Sequence, residues 1–353
     1  MTRLSLGEGP HADWKLLATG SGNPIGNLRI KEAAPPPVAE MSKGFRRSKI
    51  IERHEGFMDY VANAGGPTSG STGAGGDAPK FLLSTDTQGL FHADAAIPDS
   101  KMVASFLVKF PRGKKLSDRQ ILKAEANYLN IAKAAGANVA SELYWEKDCL
   151  FIPRFDRVIG LPATNGPREN RVLRLGVESM ASACGRHLLG QRLSHQEIIA
   201  VIVKFSSEPS LDCIEYLRRD ILNLALGNTD NHGRNTALIK AMDGKLRLSP
   251  LFDFAPMFMD DKGITRSTFW EGLEEGSTVE WNRVFSLVKN SLQEADKLNI
   301  KIWQTGLKRL LQEVSGLESL VEKHLSVDVV KKRVRELIVR SQNSLQPSVK
   351  LFK

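Results

Sequence analysis

The most constraining feature of the chain is a helix that runs into a polar loop and then a hairpin. Leu211–Leu226 (LDCIEYLRRDILNLAL) has helical composition and stops at Gly227, a residue suited to closing a helix in the left-handed region. The polar loop Asn228–Asn235 (NTDNHGRN) follows, then two strand-like runs, Thr236–Met242 and Lys245–Ser249. Asp243-Gly244 between those runs predicts a two-residue hairpin turn. The hairpin delivers Asp253 inside the apolar run Leu251-Phe252-Asp253-Phe254. A polar loop framed in this way is held at both ends by packed structure, so its side chains are presented from fixed positions.

The remaining pattern divides the chain into a sheet-rich half and a helix-rich half. Residues 1–60 are weakly patterned, with an extended Ala33–Val38 (AAPPPV) linker. Gly65–Pro79 (GGPTSGSTGAGGDAP) is rich in Gly, Ser and Thr, a composition typical of a flexible linker. Strand-like runs Phe81–Ser84 and Met102–Phe110 follow, then a helix opened by Ser117 and stopped at Gly136, then strands Glu142–Trp145 and Leu150–Pro153. The second half holds a capping box at Ser194–Glu197 and helices at Trp281–Leu298, Ile300–Val314 and Ser326–Ser341. We expect an α+β fold of two lobes, with a small mixed α/β N-lobe over 61–157, a mainly helical C-lobe over 158–353, and a cleft between them.

Composition excludes several classes. At 353 residues with 41% hydrophobic and 25% charged residues, the chain is globular rather than fibrous or disordered. It has no apolar run long enough for a membrane helix and no signal-peptide pattern at the N-terminus. Its three cysteines, Cys149, Cys184 and Cys213, lack CxxC spacing. These traits predict a cytoplasmic protein without disulfides or a zinc finger. The net charge of +9 includes basic runs at Lys43–Arg53 and Lys331–Arg340. The second run has Val334, Leu337 and Ile338 between its charges, as expected of a surface helix with one wet face; a nucleic-acid stripe is the alternative.

Asp230 and Asn235 stand five positions apart, the D-x4-N spacing of a kinase catalytic loop. One carboxylate accepts the proton of an attacking hydroxyl while an amide oxygen on the same loop holds Mg²⁺. A helix-exit loop that only satisfies its own backbone has the same spacing. Asp253 downstream fits a metal ligand, since a carboxylate among aromatics needs a cation or hydrogen bonds; a satisfied core Asp is the alternative. Lys109, late in the Met102–Phe110 strand, either snorkels from an edge or meets phosphate. Glu125 on the next helix is placed to pair with it. The Gly-rich segment lacks the Walker A pattern, but a glycine loop can still cradle phosphates through backbone N–H groups.

Gly75-Gly76-Asp77-Ala78-Pro79-Lys80, Val108-Lys109-Phe110-Pro111, Glu125, Arg154-Phe155-Asp156-Arg157, Asn228–Asn235 and Leu248–Phe254 together resemble the HipA-like toxin kinases over roughly residues 65–340. The resemblance implies a two-lobed kinase-like fold and an ATP- and Mg²⁺-dependent Ser/Thr protein kinase of a toxin–antitoxin module. It implies Asp230 as catalytic base and Asn235 and Asp253 as Mg²⁺ ligands. Gly73, Gly75, Gly76, Lys109 and Glu125 would serve ATP phosphates, with Pro153 and Phe155 meeting adenine through the backbone. His232 would order the loop rather than transfer protons.

The implied partners are a protein substrate, such as an aminoacyl-tRNA synthetase, and a small helix-turn-helix antitoxin. DNA would be met only indirectly and the membrane not at all. Family members carry a further N-terminal subdomain, and too little chain precedes the Gly-rich loop to hold it whole. We therefore expect residues 1–60 to be a remnant of it, or a separate protein to supply it. The family's self-phosphorylated loop serine falls at Gly73 here, leaving Ser71 and Thr72, with Ser69 nearby, as substitute hydroxyls. Two other readings stay open: a small-molecule or lipid kinase of related fold, and a non-catalytic binding module associated with DNA.

Overall fold

The structure, a computed structural model, describes residues 14, 24–31, 44–63, 79–161, 171–188, 191–276 and 278–349. Ser71, Thr72, Gly73, Gly75 and Gly76 lie outside the described residues. The chain divides into two compact units. One comprises Met1–Lys114 and Leu143–Val177, the other Lys115–Glu142 and Glu178–Lys353. The helix Leu116–Ala134 thus groups with the second unit, although it falls within the 61–157 segment.

The first unit is built on a five-stranded sheet. Its strands are β1 (Lys80–Thr85), β2 (Phe91–Ala93), β3 (Ala104–Lys109), β4 (Tyr144–Glu146) and β5 (Cys149–Pro153), in the order β2-β1-β3-β5-β4. The pairings are antiparallel, and β3 lies in the middle between β1 and β5. Every β1 residue is buried, as in a strand covered on both faces. Two short helices, Arg47–Ile51 and Glu55–Asn63, add Ile50 and Phe57 to a core of Phe81, Leu83, Val108 and Phe151. Phe81 meets Phe57 and Phe110 edge-on, at centroid distances of 6.1 and 5.8 Å.

The second unit is mainly helical. Its core runs through Ile199, Leu217, Trp270, Trp281, Val288 and Trp303. The capping box is formed as the sequence predicts: Glu197 N donates to Ser194 Oγ at 3.2 Å and Ser194 N donates to Glu197 Oε2 at 2.9 Å. The C-terminal region is more divided than its periodicity suggests, with helices at Ile300–Ser315, Leu317–His324 and Asp328–Val349. In the last of these Val334 and Ile338 are buried while Arg333 and Arg335 are exposed, the one-sided wetting expected of the basic run. No helix among the described residues is long and apolar enough to cross a membrane.

The hairpin is formed but its turn is longer than expected. Strands Ala237–Lys240 and Leu246–Leu248 are closed by Ala241 N donating to Lys245 O at 2.8 Å, and Gly244 N to Ala241 O at 3.1 Å. The turn therefore holds Met242, Asp243 and Gly244. Gly244 has φ +81°, which is the left-handed residue that ends a three-residue hairpin turn.

Candidate active site

The helix Pro209–Leu226 carries the polar loop. It opens with Pro209, whose missing N–H costs nothing at a helix start, and buries nearly all its residues. It ends at Gly227 with φ 70°, and a Cβ there would lie 2.6 Å from Phe258 Cδ1 and 2.8 Å from Leu337 Cδ1. Backbone angle and space both demand glycine. Tyr128 Oη, on the helix Leu116–Ala134, donates to Leu226 O at 2.7 Å. The same ring packs on Phe254 at 5.4 Å, so one tyrosine braces both the start of the loop and the Asp253 segment.

Within the loop, Asn228 Nδ2 donates to Asn223 Oδ1 at 2.9 Å, tying the loop back to its helix. His232 N donates to Asp230 O at 3.1 Å and Asn235 N to His232 O at 2.9 Å. Asn235 Nδ2 also donates to Asp230 O, at 2.9 Å. That bond fixes the amide orientation: the nitrogen is used inside the loop, and the buried Oδ1 has no hydrogen-bond partner among the described residues. An acceptor left in this way suits a cation. The Asp230 carboxylate is partly exposed, with His232 Nε2 3.6 Å from Oδ1. The His232 backbone stays within the loop's own bonding, while its Nδ1 is buried without a partner among the described residues.

Asp253 is half-buried and has φ 54°. A non-glycine residue in the left-handed region is uncommon, and such backbones concentrate at functional sites. Asn235, His232 and Asp253 line one small polar cavity. Among the described residues no group of three or more His, Cys, Asp or Glu could hold a metal. Any cation here would have to be met by a mixed set of amide oxygens and carboxylates.

The remaining site residues lie as follows. Lys109 is 4% exposed at the end of β3, so the edge-strand reading is excluded by the strand's central place. Lys80 stands opposite Lys109 in the β1–β3 register. Cross-strand partners share a face, which sets two buried lysines side by side, Lys80 coming directly after the Gly-rich segment. Sequence reasoning did not single out Lys80, though its place after Pro79 was visible. Pro153 ends β5 opposite Phe106, and Phe155 is half-buried in the turn that follows. Glu125 is buried on the helix Leu116–Ala134, in the second unit with Asp230, Asn235 and Asp253, while Lys109 belongs to the first.

The Arg154–Arg157 motif proves to be a buried ionic knot. Asp156 accepts from Arg154 Nη2 at 2.7 Å, Arg157 Nη1 at 2.6 Å and Gly26 N at 2.7 Å. Arg154 also reaches Asp94 at 3.1 Å, and Arg157 donates to Gly26 O at 3.0 Å. Burial pushes the Asp156 carboxyl up, but Arg154 and Arg157 outweigh it and hold the group below the usual range. The motif thus clamps residues 24–26 beneath the turn that carries Phe155.

The fold is α+β and kinase-like. HipA of Shewanella oneidensis MR-1, solved in a complex with HipB and operator DNA, matches it with a TM-score of 0.61 at 15% identity, over 98% of this chain and 80% of that one. A Helicobacter pylori proinflammatory kinase, CtkA, aligns with a TM-score of 0.41 at 14% identity, over 69% of this chain and 92% of that one. The search of curated proteins returned no match. Residues 72–316 match the HipA-like C-terminal domain, and the chain belongs to that family.

Proposed function

We propose that the chain is an ATP- and Mg²⁺-dependent Ser/Thr protein kinase of the toxin type. The observation that supports this most is the arrangement of Asn235: its nitrogen bonded to Asp230 O, its buried oxygen left over, and Asp253 at positive φ on the same cavity. A loop that only satisfied its own backbone would have no reason to bury an unused acceptor on a cavity shared with an Asp of left-handed backbone.

In this reading Asn235 Oδ1 and Asp253 hold the metal, and Asp230 orients the attacking hydroxyl and accepts its proton. Bound Mg²⁺ supplies neutralisation of triphosphate charge. Lys109, with Lys80 beside it, serves the phosphates, and Glu125 belongs to the ATP-binding set. The backbone of Pro153 and Phe155 meets adenine. The glycines 73, 75 and 76 cover the phosphates, with Ser71 and Thr72 as sites of self-phosphorylation. The protein's part is chiefly positioning and charge complementarity.

The proposed substrate is a translation-related protein such as an aminoacyl-tRNA synthetase. The proposed partner is a small helix-turn-helix antitoxin, because the Shewanella HipA was solved with HipB and operator DNA. Radiolabelled ATP added to a bacterial lysate tests the reading: wild type should label a protein band and Asp230→Asn should not. Label appearing only in a soluble small molecule would instead identify a small-molecule kinase.

A further inference from the structure

We propose that Asn231 is a positioning residue for phosphoryl transfer, fastening the loop to a buried anion, Asp220, in the helix beneath it. The inference rests on the kinase reading of the loop. Asp220 is 1% exposed. Its Oδ2 accepts from Trp270 Nε1 at 2.7 Å and its Oδ1 from Arg266 Nη2 at 3.0 Å. Arg266 is in turn paired with Glu274 at 2.5 Å. His195 stacks on Trp270 at 4.7 Å with Nε2 3.3 Å from Arg266 Nη2. The same Nε2 lies 3.3 Å from Asp220 Oδ1, and Nδ1 lies 2.6 Å from Tyr216 Oη. Asp220 is thereby fixed by groups outside the loop.

Asn231 Nδ2 donates to Asp220 Oδ1 at 3.4 Å, a long contact strengthened by the full charge on its acceptor. A carboxylate cannot donate, so the amide nitrogen must face it and Asn231 Oδ1 turns away. That oxygen is buried without a partner among the described residues, and Asn231 lines the same small cavity as Asn235 and Asp253. Asn231 immediately follows Asp230, whose carbonyl is already gripped by His232 N and Asn235 Nδ2. The peptide carrying the Asp230 carboxylate is therefore held on one side by the loop's own bonds and on the other by Asp220. Asp220 keeps Trp270 and Arg266 without Asn231, so removing Asn231 strands no buried charge. The link's effect falls on loop position rather than on folding.

The test compares full-length wild type with Asn231→Ala and Asn231→Asp. Asn231→Ala should melt within about 4 °C of wild type, and Asn231→Asp, which sets a second carboxylate against the buried Asp220, should melt lower. In both, kcat for phosphoryl transfer should fall about 10- to 100-fold, as for lost supporting partners of a site, with KM for ATP changed by no more than about twofold. Amides of residues 228–235 should exchange hydrogen faster while those of 209–226 keep their protection. Asn231→Asp has the volume of asparagine but sets an acceptor against an acceptor; near-normal kcat in that variant alone would show a space-filling role and overturn the proposal. Unchanged kcat in both variants would do the same. A wild type that transfers no phosphate would defeat the kinase reading instead, and the exchange data would still decide the anchor, since unaltered loop exchange in both variants overturns it.

Discussion

Asn235 donates its side-chain amide to the backbone carbonyl of Asp230 at 2.9 Å, and this bond explains why the two residues stand five apart. The loop folds back just far enough for the far residue to grip the near one. The grip spends the amide nitrogen and leaves the buried oxygen over. The same contact that shapes the loop therefore leaves an acceptor over at the cavity.

Replacing Asn235 with Ala should weaken Mg²⁺-dependent ATP binding more than it weakens the fold. We expect the Mg²⁺ concentration for half-maximal ATP binding to rise by at least about tenfold. Stability should fall by about 1 kcal/mol for the lost hydrogen bond. Calorimetric titration and a denaturant melt of the same variant separate the two effects.

Gly227→Ala should destabilise the second unit. Its φ of 70° strains any L side chain, and the new methyl would press on Phe258 and Leu337 at 2.6 and 2.8 Å. A cost of about 1–3 kcal/mol is expected in urea unfolding. A variant as stable as wild type would show that the helix ends differently.

The ionic knot in the first unit predicts a larger effect. Asp156→Ala would leave the buried Arg154 and Arg157 without their shared carboxylate. Such a loss costs about 3–5 kcal/mol. Guanidinium unfolding followed by far-ultraviolet circular dichroism measures it, and Asp156→Asn should lie between Ala and wild type.

His195 gives the protein a pH-dependent stability. Burial lowers its imidazole from 6.5 to about 4, against the attraction of Asp220 and with the repulsion of Arg266. Tyr216 and Trp270 complete its surroundings. The unfolded chain binds this proton more readily, so the stabilisation is complete above about pH 6.5 and declines as pH falls toward 4. The decline should reach on the order of 3 kcal/mol. His195→Gln should flatten the stability profile over that interval; an unaltered slope would mean that other groups set it.

Much of the site was legible because its signals are local. Gly227, the D-x4-N loop, the capping box and Asp253 can each be read within a few residues. The short helices Arg47–Ile51 and Glu55–Asn63 were not, because they are held by Ile50 and Phe57 against sheet residues far along the chain. The Asp220 cluster was hidden for the same reason. Arg218, Arg219 and Asp220 look like a solvated helix face, yet they are buried against Glu313, Ser249 and Trp270, 95, 30 and 50 positions away. Sequence patterns report which positions are apolar; they do not report which distant partner neutralises a buried charge. The hairpin turn misled in a smaller way, since Asp-Gly also suits a three-residue turn with glycine in its left-handed place.

The most direct measurement is a paired assay of Asp230→Asn, with Mg-ATP binding and γ-phosphate transfer recorded on the same preparation. A carboxylate that serves as base is needed for transfer and not for nucleotide affinity, so the variant should bind Mg-ATP as wild type does and transfer at least about 100-fold more slowly. Transfer at the wild-type rate would contradict the account.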